Sequence, residues 1–418
     1  MNVLLYAPEL PGHPQVYCRV IARALLDAGH HVIIAGPASK ADWQSLWTVL
    51  RPLADEERVR CVDVRSLAGL ARGLLTAGQV IEIQKRYQVD STLFVEADKS
   101  ADLFRQIAAG AAPRLRGRVC AIFSSAPEWY PAEDPYTGET EPWIGPTVRR
   151  TLGRVKRALL ERQQSKRYFY ETVLIRKRTV DALVVKDERI PLQFGPPVYW
   201  MPEIYRVFDS SSGLQEGDDW DRFADPVRQY IGRSGPDNVL LYFGTGAWYK
   251  GYDWFLRLAH SDPDTFALHA GAPDRQEPGK PYDADVETLR QDLLRQGRLF
   301  ETRAFVESDA LIHLLFSSIR RFVSTHRLTL SSGTVLQALE EGSPVLTPGT
   351  GLVGWRTREY GLGATYAYRD MESLSTTWRR FRTGALDPRP EAIRSFMDRF
   401  TRERVESFFQ QVIAGSLP

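Results

Sequence analysis

The chain has 418 residues, of which 43% are hydrophobic and 25% are charged, and its formal net charge is +2 at pH 7. One hydrophobic core stops growing at about 250–300 residues, so a chain of this length is expected to form two domains. The composition is that of an ordinary globular protein, and the nearly neutral charge gives no general reason to expect a polyanionic partner.

The first half alternates apolar runs of strand length with amphipathic stretches of helix length. Val3–Tyr6 is predicted to be a buried strand, and apolar residues from Val16 to Ala28 repeat with helical spacing. Gly29 ends that helix, and 30–36 is the next predicted strand. Such strand–helix–strand units build parallel sheets. Further strands are predicted at 58–64, 91–98, 117–125, 181–188 and 196–203, and further helices at 67–87, 100–110 and 147–180.

A polar segment at 206–237, rich in Gly, Ser and Asp, predicts a linker with a short helix between domains at 1–205 and 238–395. The final segment, 396–418, is expected to cross back to the first domain as a helix. The fold class is therefore predicted as α/β, with two doubly wound Rossmann-like domains facing across a cleft. In the second domain, strands are predicted at 238–244, 265–271, 303–306, 319–327 and 343–349, and helices at 284–297, 308–318, 333–341 and 390–411.

The stretch from Ser331 to Leu346 places small residues at the start of an amphipathic helix that follows a predicted strand. Ser332 can cap this helix, and Gly333 lets the backbone approach an anion closely. The first free N–H groups lie at the positive end of the helix dipole, which predicts an anion site. An ordinary serine N-cap, with Gly342 ending the helix, is the alternative.

A glycine-containing turn also follows the first predicted strand of the second domain, and Lys250 stands at the start of the next helix. Gly244, Gly246 and Gly251 lack the spacing of a dinucleotide fingerprint, and the loop is not a P-loop. The lysine is nevertheless well placed to neutralise a phosphate near the turn.

Together these two segments resemble the carboxyl-terminal, nucleotide-sugar-binding domain of GT-B glycosyltransferases, in particular the large, mostly retaining family. Members carry G-R-x-x-x-x-K-G after the domain's first strand. Here Gly244, Lys250 and Gly251 keep that spacing, and Thr245 replaces the arginine. The sharp motifs cover about 238–366, and the resemblance in architecture covers the whole chain.

The same family carries E-G-F-G-x-x-x-x-E-A-x-x-x-G-x-P-V at the serine-headed helix. Thr329 and Gln337 stand where the two glutamates would be. The ending of the motif is kept as Ala338, Gly342, Pro344 and Val345.

The resemblance implies a nucleotide-sugar donor as co-substrate, no other cofactor and no bound metal. It implies that Lys250 contacts the donor diphosphate and that Gln337 hydrogen-bonds the ribose. His326 and Arg327, at the mouth of the domain, could meet phosphate or sugar oxygens, with core or rim roles as the alternative. The remaining residues expected at the donor are Gly244, Thr245 and Gly246 of the turn and Ser332, Gly333 and Thr334, which would offer main-chain N–H groups.

The first half would then bind the acceptor, which is left open between a small molecule, a lipid-linked group and a macromolecule. In inverting members a histidine after the first strand removes a proton from the acceptor hydroxyl, and His13 occupies that place. The alternative is a histidine that only lines the cleft of a retaining enzyme, and retention is slightly favoured. Asp98, at the carboxyl end of a predicted strand, could orient the acceptor or only cap a helix. Glu203 lies where the chain leaves the first domain. It is a further candidate for the site, with a structural role at a hinge as the alternative.

A long loop in the first half carries aromatic residues interleaved with carboxylates. Aromatic faces suit stacking on sugar rings, and carboxylates suit amines or hydroxyls, which predicts an acceptor-binding lid. The alternative is a loop that only packs against the domain and has no binding role. The residues expected to bind the acceptor are Glu128, Trp129, Tyr130 and Trp143.

A basic segment at 149–178 follows this loop. It could lie on an anionic membrane surface or contact nucleic acid, but its apolar residues also fit an ordinary surface helix, which we favour. Cys18, Cys61 and Cys120 are too sparse for a disulfide framework or a metal site. The first residues lack a secretion signal, and no apolar run approaches the about 20 residues of a membrane span, so a cytoplasmic protein is expected.

Two other functions remain open on this sequence. One is a different enzyme on the same fold, a nucleotide-sugar epimerase or a glycoside phosphorylase. The other is a non-catalytic partner subunit. This function stays open because the sequence lacks the arginine and the two glutamates of the family's motifs. A dehydrogenase is disfavoured because neither half carries an intact dinucleotide fingerprint.

Overall fold

The computed structural model describes residues 1–8, 13–37, 39, 43–44, 46, 50, 58–64, 75–123, 169–204, 217–272, 282, 285–306, 308–327 and 331–417. These residues divide into two compact units. Unit 1 draws on Met1–Glu133, Thr137–Phe208 and Phe400–Pro418, and unit 2 draws chiefly on Asp209–Arg399. The last residues of the chain therefore belong to the same unit as the first.

Unit 1 is built on a parallel sheet. Its described strands are β1 (Asn2–Tyr6), β2 (His31–Gly36), β3 (Val59–Asp63), β4 (Ser91–Phe94), β5 (Arg118–Phe123), β6 (Ala182–Val185) and β7 (Val198–Trp200). Within the described residues their order is β3-β2-β1-β4-β5-β6-β7, and Leu4 pairs with Ile33 of β2 and with Thr92 of β4. Both faces of the sheet are covered, so β1, β2 and β6 are apolar along almost their whole length instead of alternating with polar residues.

The helices follow the predicted alternation. In unit 1 they are α1 (His13–Asp27), α2 (Ala77–Arg86), α3 (Ala101–Ala108) and α4 (Arg189–Phe194). In unit 2 they are α5 (Asp218–Ser234), α6 (Tyr252–Ser261), α7 (Val286–Arg295), α8 (Asp309–Ser317), α9 (Gly333–Glu340), α10 (Gly351–Glu359), α11 (Met371–Phe381) and α12 (Pro390–Met397). The last helix, α13 (Arg402–Ala414), lies in unit 1. In the described part of the chain, no helix is both long enough and apolar enough to cross a bilayer.

Helix α13 packs on α1 and β5. Val405, Phe409 and Val412 recur at helical spacing and are fully buried there. Arg118 Nε on β5 donates to the carbonyl oxygen of Val412 at 2.8 Å. The end of the chain is thus part of the hydrophobic core of unit 1.

Part of the basic segment predicted at 149–178 is described. Its residues Phe169–Arg176 form a π-helical turn, from which Phe169, Val173 and Leu174 are buried in unit 1. The Arg105 guanidinium lies 5.2 Å from the centre of the Phe169 ring. This part packs as an ordinary amphipathic element, and 149–168 lie outside the described residues.

Unit 2 also contains parallel strands. They are β8 (Val239–Phe243), β9 (Phe266–Ala270), β10 (Leu299–Glu301), β11 (Phe322–Val323), β12 (Val345–Pro348) and β13 (Gly363–Tyr366). Among the described residues they form two ladders, β10-β9-β8 and β11-β12-β13, and β11 lies beside β8. The resulting order, third-second-first and then fourth-fifth-sixth, is that of a doubly wound domain.

Several predicted elements differ from the observed ones. The helix predicted at 390–411 is divided into α12 and α13 by a 3₁₀ turn at Asp398–Phe400. The strand predicted at 303–306 lies at β10 instead, because Arg303 has a left-handed backbone with φ 50°. The strand predicted at 319–327 is confined to β11, because the residues after it turn over the loop that follows β8. The segment predicted as a linker with a short helix contains α5, whose 17 residues bury Phe223, Val227 and Tyr230 at helical spacing.

Candidate functional site

The candidate site lies at the carboxyl ends of β8 and β11 in unit 2. These neighbouring strands mark the point where the strand order reverses, and a crevice opens at such a point because successive connections leave on opposite faces. Two segments meet there. Residues 244–251, here called the glycine turn, follow β8, and residues 324–327 follow β11.

Glycine is required where backbones meet in this region. Gly244 has φ 101° and Gly251 has φ 67°, both in the left-handed region. A Cβ atom on Gly251 would lie 1.9 Å from the carbonyl oxygen of Thr325, and one on Gly271 would lie 2.0 Å from that of Gly244. The glycine turn can therefore pack directly on the ends of β9 and β11.

Most carbonyl oxygens of the glycine turn are hydrogen-bonded to groups inside unit 2. His269 Nε2 lies 3.0 Å from the carbonyl oxygen of Gly244, and the Tyr242 hydroxyl donates to that of Thr245 at 3.3 Å. The carbonyl oxygens of Trp248, Tyr249 and Lys250 accept from Arg327 Nη1, Arg327 N and Thr325 Oγ1, at 2.9, 2.8 and 3.0 Å. These carbonyl oxygens are the negative ends of the peptide dipoles. Because they are already hydrogen-bonded, the turn is suited to bind an anion.

Lys250 supplies a positive charge at this turn. Its ammonium folds back over Gly244, since a Cβ atom on Gly244 would lie 2.6 Å from Nζ. Burial lowers the pKa of Lys250, and in the part of the chain that the structure describes no carboxylate forms an ion pair with it. A half-buried cation without an anionic partner gains more than a solvated one from an incoming anion.

His326 lies next to Lys250 and is neutral. Burial, and then the positive charge of Lys250, lowers the pKa of His326 to about 3. Its Nδ1 atom is 2.9 Å from the buried hydroxyl of Ser324, which holds the ring in one orientation. A neutral imidazole can exchange hydrogen bonds with a ligand without adding charge.

Arg327 is buried, which fits the core role that the sequence left open beside contact with the donor. Only 3% of its surface is exposed, and its guanidinium forms a bidentate pair with Asp253 of α6. The side chain therefore lies among protein groups beneath the glycine turn.

The start of α9 carries polar side chains, as the sequence predicts. Ser332 is the N-cap, and its Oγ accepts from the main-chain N–H of Val335 at 3.4 Å and lies 2.8 Å from the Thr334 hydroxyl. Helix α9 connects β11 to the parallel strand β12, so its N-terminus lies on the carboxyl side of the sheet. Gly333 and Thr334 are in its first turn, where N–H groups have no partner within the helix, and Gln337 follows in the second turn, half-buried.

A charged network supports the glycine turn from below, and sequence reasoning missed it. Arg290 of α7 binds Glu301 of β10 with Nη2 and Oε2 2.7 Å apart, and His269 lies between Glu301 and the turn. Burial by itself raises the pKa of Glu301, but the imidazole of His269, 3.8 Å away, and hydrogen bonds from Arg290 lower it to about 2. The three residues lie far apart in sequence, so only the paired strands bring them together.

The predicted catalytic residues of unit 1 follow its neighbouring strands β1 and β4, where its strand order reverses. His13 is the first residue of α1, and its side chain lies outside the described residues. Asp98 lies in the short 3₁₀ helix Ala97–Ser100 after β4 and is partly exposed. The structure thus places both backbones at the carboxyl edge of the same sheet.

Sequence reasoning also missed a charged residue at this edge of the unit 1 sheet, Lys186. Lys186 follows β6, and its Nζ lies 5.1 Å from the ring centre of Tyr17 on α1. Burial by itself lowers the pKa of Lys186, but Tyr17 and Glu203 raise it above its ordinary value. Glu203 is 3% exposed and thus an internal countercharge at the exit from unit 1.

Other predicted residues lie outside the described residues: Glu128, Trp129, Tyr130, Trp143 and Thr329. Among the side chains that the structure describes, no group of three or more His, Cys, Asp or Glu is placed to hold a metal ion.

We predict that Gly251→Ala destabilises the protein more than Gly297→Ala. Both glycines have left-handed backbones, which cost an alanine about 1–2 kcal/mol. Only Gly251 also approaches a carbonyl oxygen, whereas a Cβ atom on Gly297 meets nothing within 4 Å. The overlap should add about 1–3 kcal/mol to the loss of unfolding free energy in urea. Equal losses in the two variants would contradict the close approach.

We predict that His326 makes the folded protein less stable at acidic pH. Its folded pKa of about 3 lies below the ordinary value of 6.5, so between these pH values the unfolded chain binds a proton that the folded chain does not. The unfolding free energy should fall as pH is lowered from 6.5, and that of His326→Gln should fall less steeply than that of wild type. Urea unfolding at pH 7.0, 6.0, 5.0 and 4.5 measures both slopes, and identical slopes would refute the lowered pKa of His326.

No family model matches the sequence, and no curated protein matches it. Solved structures do resemble the fold. Anabaena HepE in complex with UDP-glucose has a TM-score of 0.60 at 15% identity, covering 99% of this chain and 100% of that chain. The apo form of the lipopolysaccharide outer core galactosyltransferase WaaB has 0.56 at 9% identity, covering 100% of both chains. Sucrose-phosphate synthase from Thermosynechococcus elongatus has 0.53 at 13% identity, covering 99% of this chain and 97% of that chain. At these identities the likeness shows the fold, and it confirms the predicted resemblance to the GT-B glycosyltransferases.

Proposed function

We propose that this protein is a glycosyltransferase that takes a sugar from a nucleotide-sugar donor bound in unit 2 and transfers it to an acceptor bound by residues of unit 1. The observation that carries the proposal is the arrangement at the glycine turn. There the ammonium of Lys250, which forms no ion pair with a carboxylate among the described residues, lies over a turn most of whose carbonyl oxygens are hydrogen-bonded inside the protein. A diphosphate is the group of a nucleotide sugar that such a site recognises.

The same arrangement would promote departure of the nucleotide. As the bond between the anomeric carbon and the β-phosphate oxygen breaks, negative charge grows on the diphosphate. Lys250 and the first N–H groups of α9, from Gly333 and Thr334, would stabilise that charge from fixed positions. His326 would donate or accept a hydrogen bond beside them. We propose that these protein groups act without a bound divalent ion.

Structural neighbours support a nucleotide-sugar donor. Anabaena HepE has been solved with UDP, with UDP-glucose, and with UDP and glucose together. UDP is therefore the first nucleotide to test. The expected contact of Gln337 with the ribose remains part of this proposal, as do Gly244, Thr245, Gly246 and Ser332 at the donor.

The acceptor side of the proposal rests on the sequence. We retain Glu128, Trp129, Tyr130 and Trp143 as the residues that would contact the acceptor, and Asp98 as one that would orient it. A transferase must also keep water from the donor, because hydrolysis competes with transfer.

A turnover assay separates the proposed activity from its rivals. We expect release of free nucleotide from a nucleotide sugar only when an acceptor is present. Interconversion of the sugar without nucleotide release would identify an epimerase, and a requirement for inorganic phosphate would identify a phosphorylase. Nucleotide binding with no turnover against an acceptor library would identify a non-catalytic partner subunit.

We predict that Lys250→Ala weakens diphosphate binding and leaves the fold intact. Thermal shifts with UDP, GDP, ADP and dTDP would first identify the nucleotide, since a ligand at 100 times its Kd stabilises the folded state by about 2.7 kcal/mol. A charged hydrogen bond contributes about 1.5–3 kcal/mol, so Kd should rise about ten- to hundredfold. The control is Lys85→Ala, an exposed lysine of unit 1, which should bind as wild type does. Unchanged affinity in Lys250→Ala would refute the phosphate role.

We predict that the product retains the anomeric configuration of the donor and that His13→Ala keeps most of its activity. In a retaining reaction the donor phosphate can accept the proton of the acceptor hydroxyl, so no separate base is needed. Proton NMR of the product gives the configuration, and initial rates give kcat. Inversion together with a loss of about 10²–10⁴-fold in kcat would instead assign His13 as the general base.

A further inference from the structure

We propose that Arg327 and Asp253 form a positioning pair that holds Lys250 over the glycine turn, and that Arg327 does not itself contact the donor. The inference rests on the proposed donor site. It adds Arg327 and Asp253 to that site as residues that act only through Lys250. Asp253 lies on α6, directly after the turn, and Arg327 lies after β11, so the pair joins the two segments of the site.

The pair is buried and has close to ideal geometry. Asp253 has no exposed surface and Arg327 has 3%. Nη1 and Nη2 of the guanidinium each lie 2.7 Å from one carboxylate oxygen, Oδ1 and Oδ2 respectively. The rings of Trp248 and Trp254 flank the guanidinium, at 5.2 and 5.6 Å from Cζ to the ring centres. Such a desolvated pair loses much more on removal of one partner than an exposed pair does.

The same arginine determines where the backbone of the turn lies. Its Nη1 donates to the carbonyl oxygen of Trp248 at 2.9 Å, and its main-chain N–H donates to that of Tyr249 at 2.8 Å. The hydroxyl of the preceding Thr325 donates to the carbonyl oxygen of Lys250 at 3.0 Å. Three successive carbonyl oxygens are thus anchored to one segment, and the Cα atom of Lys250 has little freedom to move.

This geometry also explains why Arg327 is unsuited to bind a phosphate directly. Its guanidinium is already neutralised by Asp253 and almost wholly covered by protein. Lys250, in contrast, has no carboxylate partner among the described residues and is partly exposed. A ligand anion would therefore meet the lysine, while the arginine keeps that lysine in place.

A double-mutant cycle tests whether the pair acts through Lys250. Kd is measured for UDP, and for inorganic pyrophosphate as a probe that lacks a base, in wild type, Asp253→Asn, Lys250→Ala and the double variant. We expect Asp253→Asn to raise Kd about tenfold when Lys250 is present and less than twofold when it is absent, because effects that share one group are not additive.

A matched control uses another ion pair of unit 2. Arg321 precedes β11 at its opposite end and forms a bidentate pair with Asp387, with contacts of 2.7 and 2.6 Å. Asp387→Asn therefore removes a bidentate pair that is more exposed and lies away from the glycine turn, while Arg321 keeps its ion pair with Asp237 at 2.6 Å. We expect it to leave both Kd values unchanged.

The outcomes distinguish the inference from the proposed function. An equal rise in Kd with and without Lys250, or none at all, would overturn the positioning role while leaving the donor site intact. Binding of neither probe by wild type would overturn both. If Asp253→Asn does not fold, the paired replacement Arg327→Met with Asp253→Leu takes its place, because removing both buried charges is often tolerated. It should fold, and its loss of affinity should likewise depend on Lys250.

Discussion

Most carbonyl oxygens of the glycine turn are held inside unit 2, and the rest of the candidate site depends on this constraint. A phosphate cannot approach a backbone whose carbonyl oxygens face it, because like partial charges repel in a weakly screened environment. Here Tyr242, His269, Thr325 and Arg327 occupy those oxygens. The charge of Lys250 then dominates the surface of the turn.

Two kinds of residue hold the glycine turn in place, namely glycines and buried charged residues. Glycines let the backbone of the turn touch the neighbouring strand ends, which Gly251 shows by its approach to Thr325. Buried charges then hold it there, with Arg327 and Asp253 at the carbonyl oxygen of Trp248 and the network of Glu301, through His269, at that of Gly244. Thr245 replaces the arginine of the resembled motif, so the proposed donor diphosphate would meet fewer cations at this turn and would depend more on Lys250 and on N–H groups.

Sequence reasoning was most successful where a pattern repeats along the chain. The buried strands, the strand–helix alternation and the two motif segments were readable because apolar periodicity and glycine spacing are local properties. It failed where a contact overrides local pattern. The polar composition around α5 predicted a linker with a short helix, yet Phe223, Val227 and Tyr230 bury a 17-residue helix on unit 2. Arg303, with its left-handed backbone, likewise separates the predicted strand from β10.

By itself the sequence determined the α/β class, the resemblance to GT-B glycosyltransferases and the placing of Lys250 and Ser332 after parallel strands. It could not determine which cations are paired with a carboxylate of the protein, because that depends on partners far away in the chain. Arg327 and Lys250 are both cations beside the same turn, and no local pattern separates them. The tertiary structure does so by bringing Asp253 to the arginine and no described carboxylate to the lysine, which leaves only the lysine with a charge to offer.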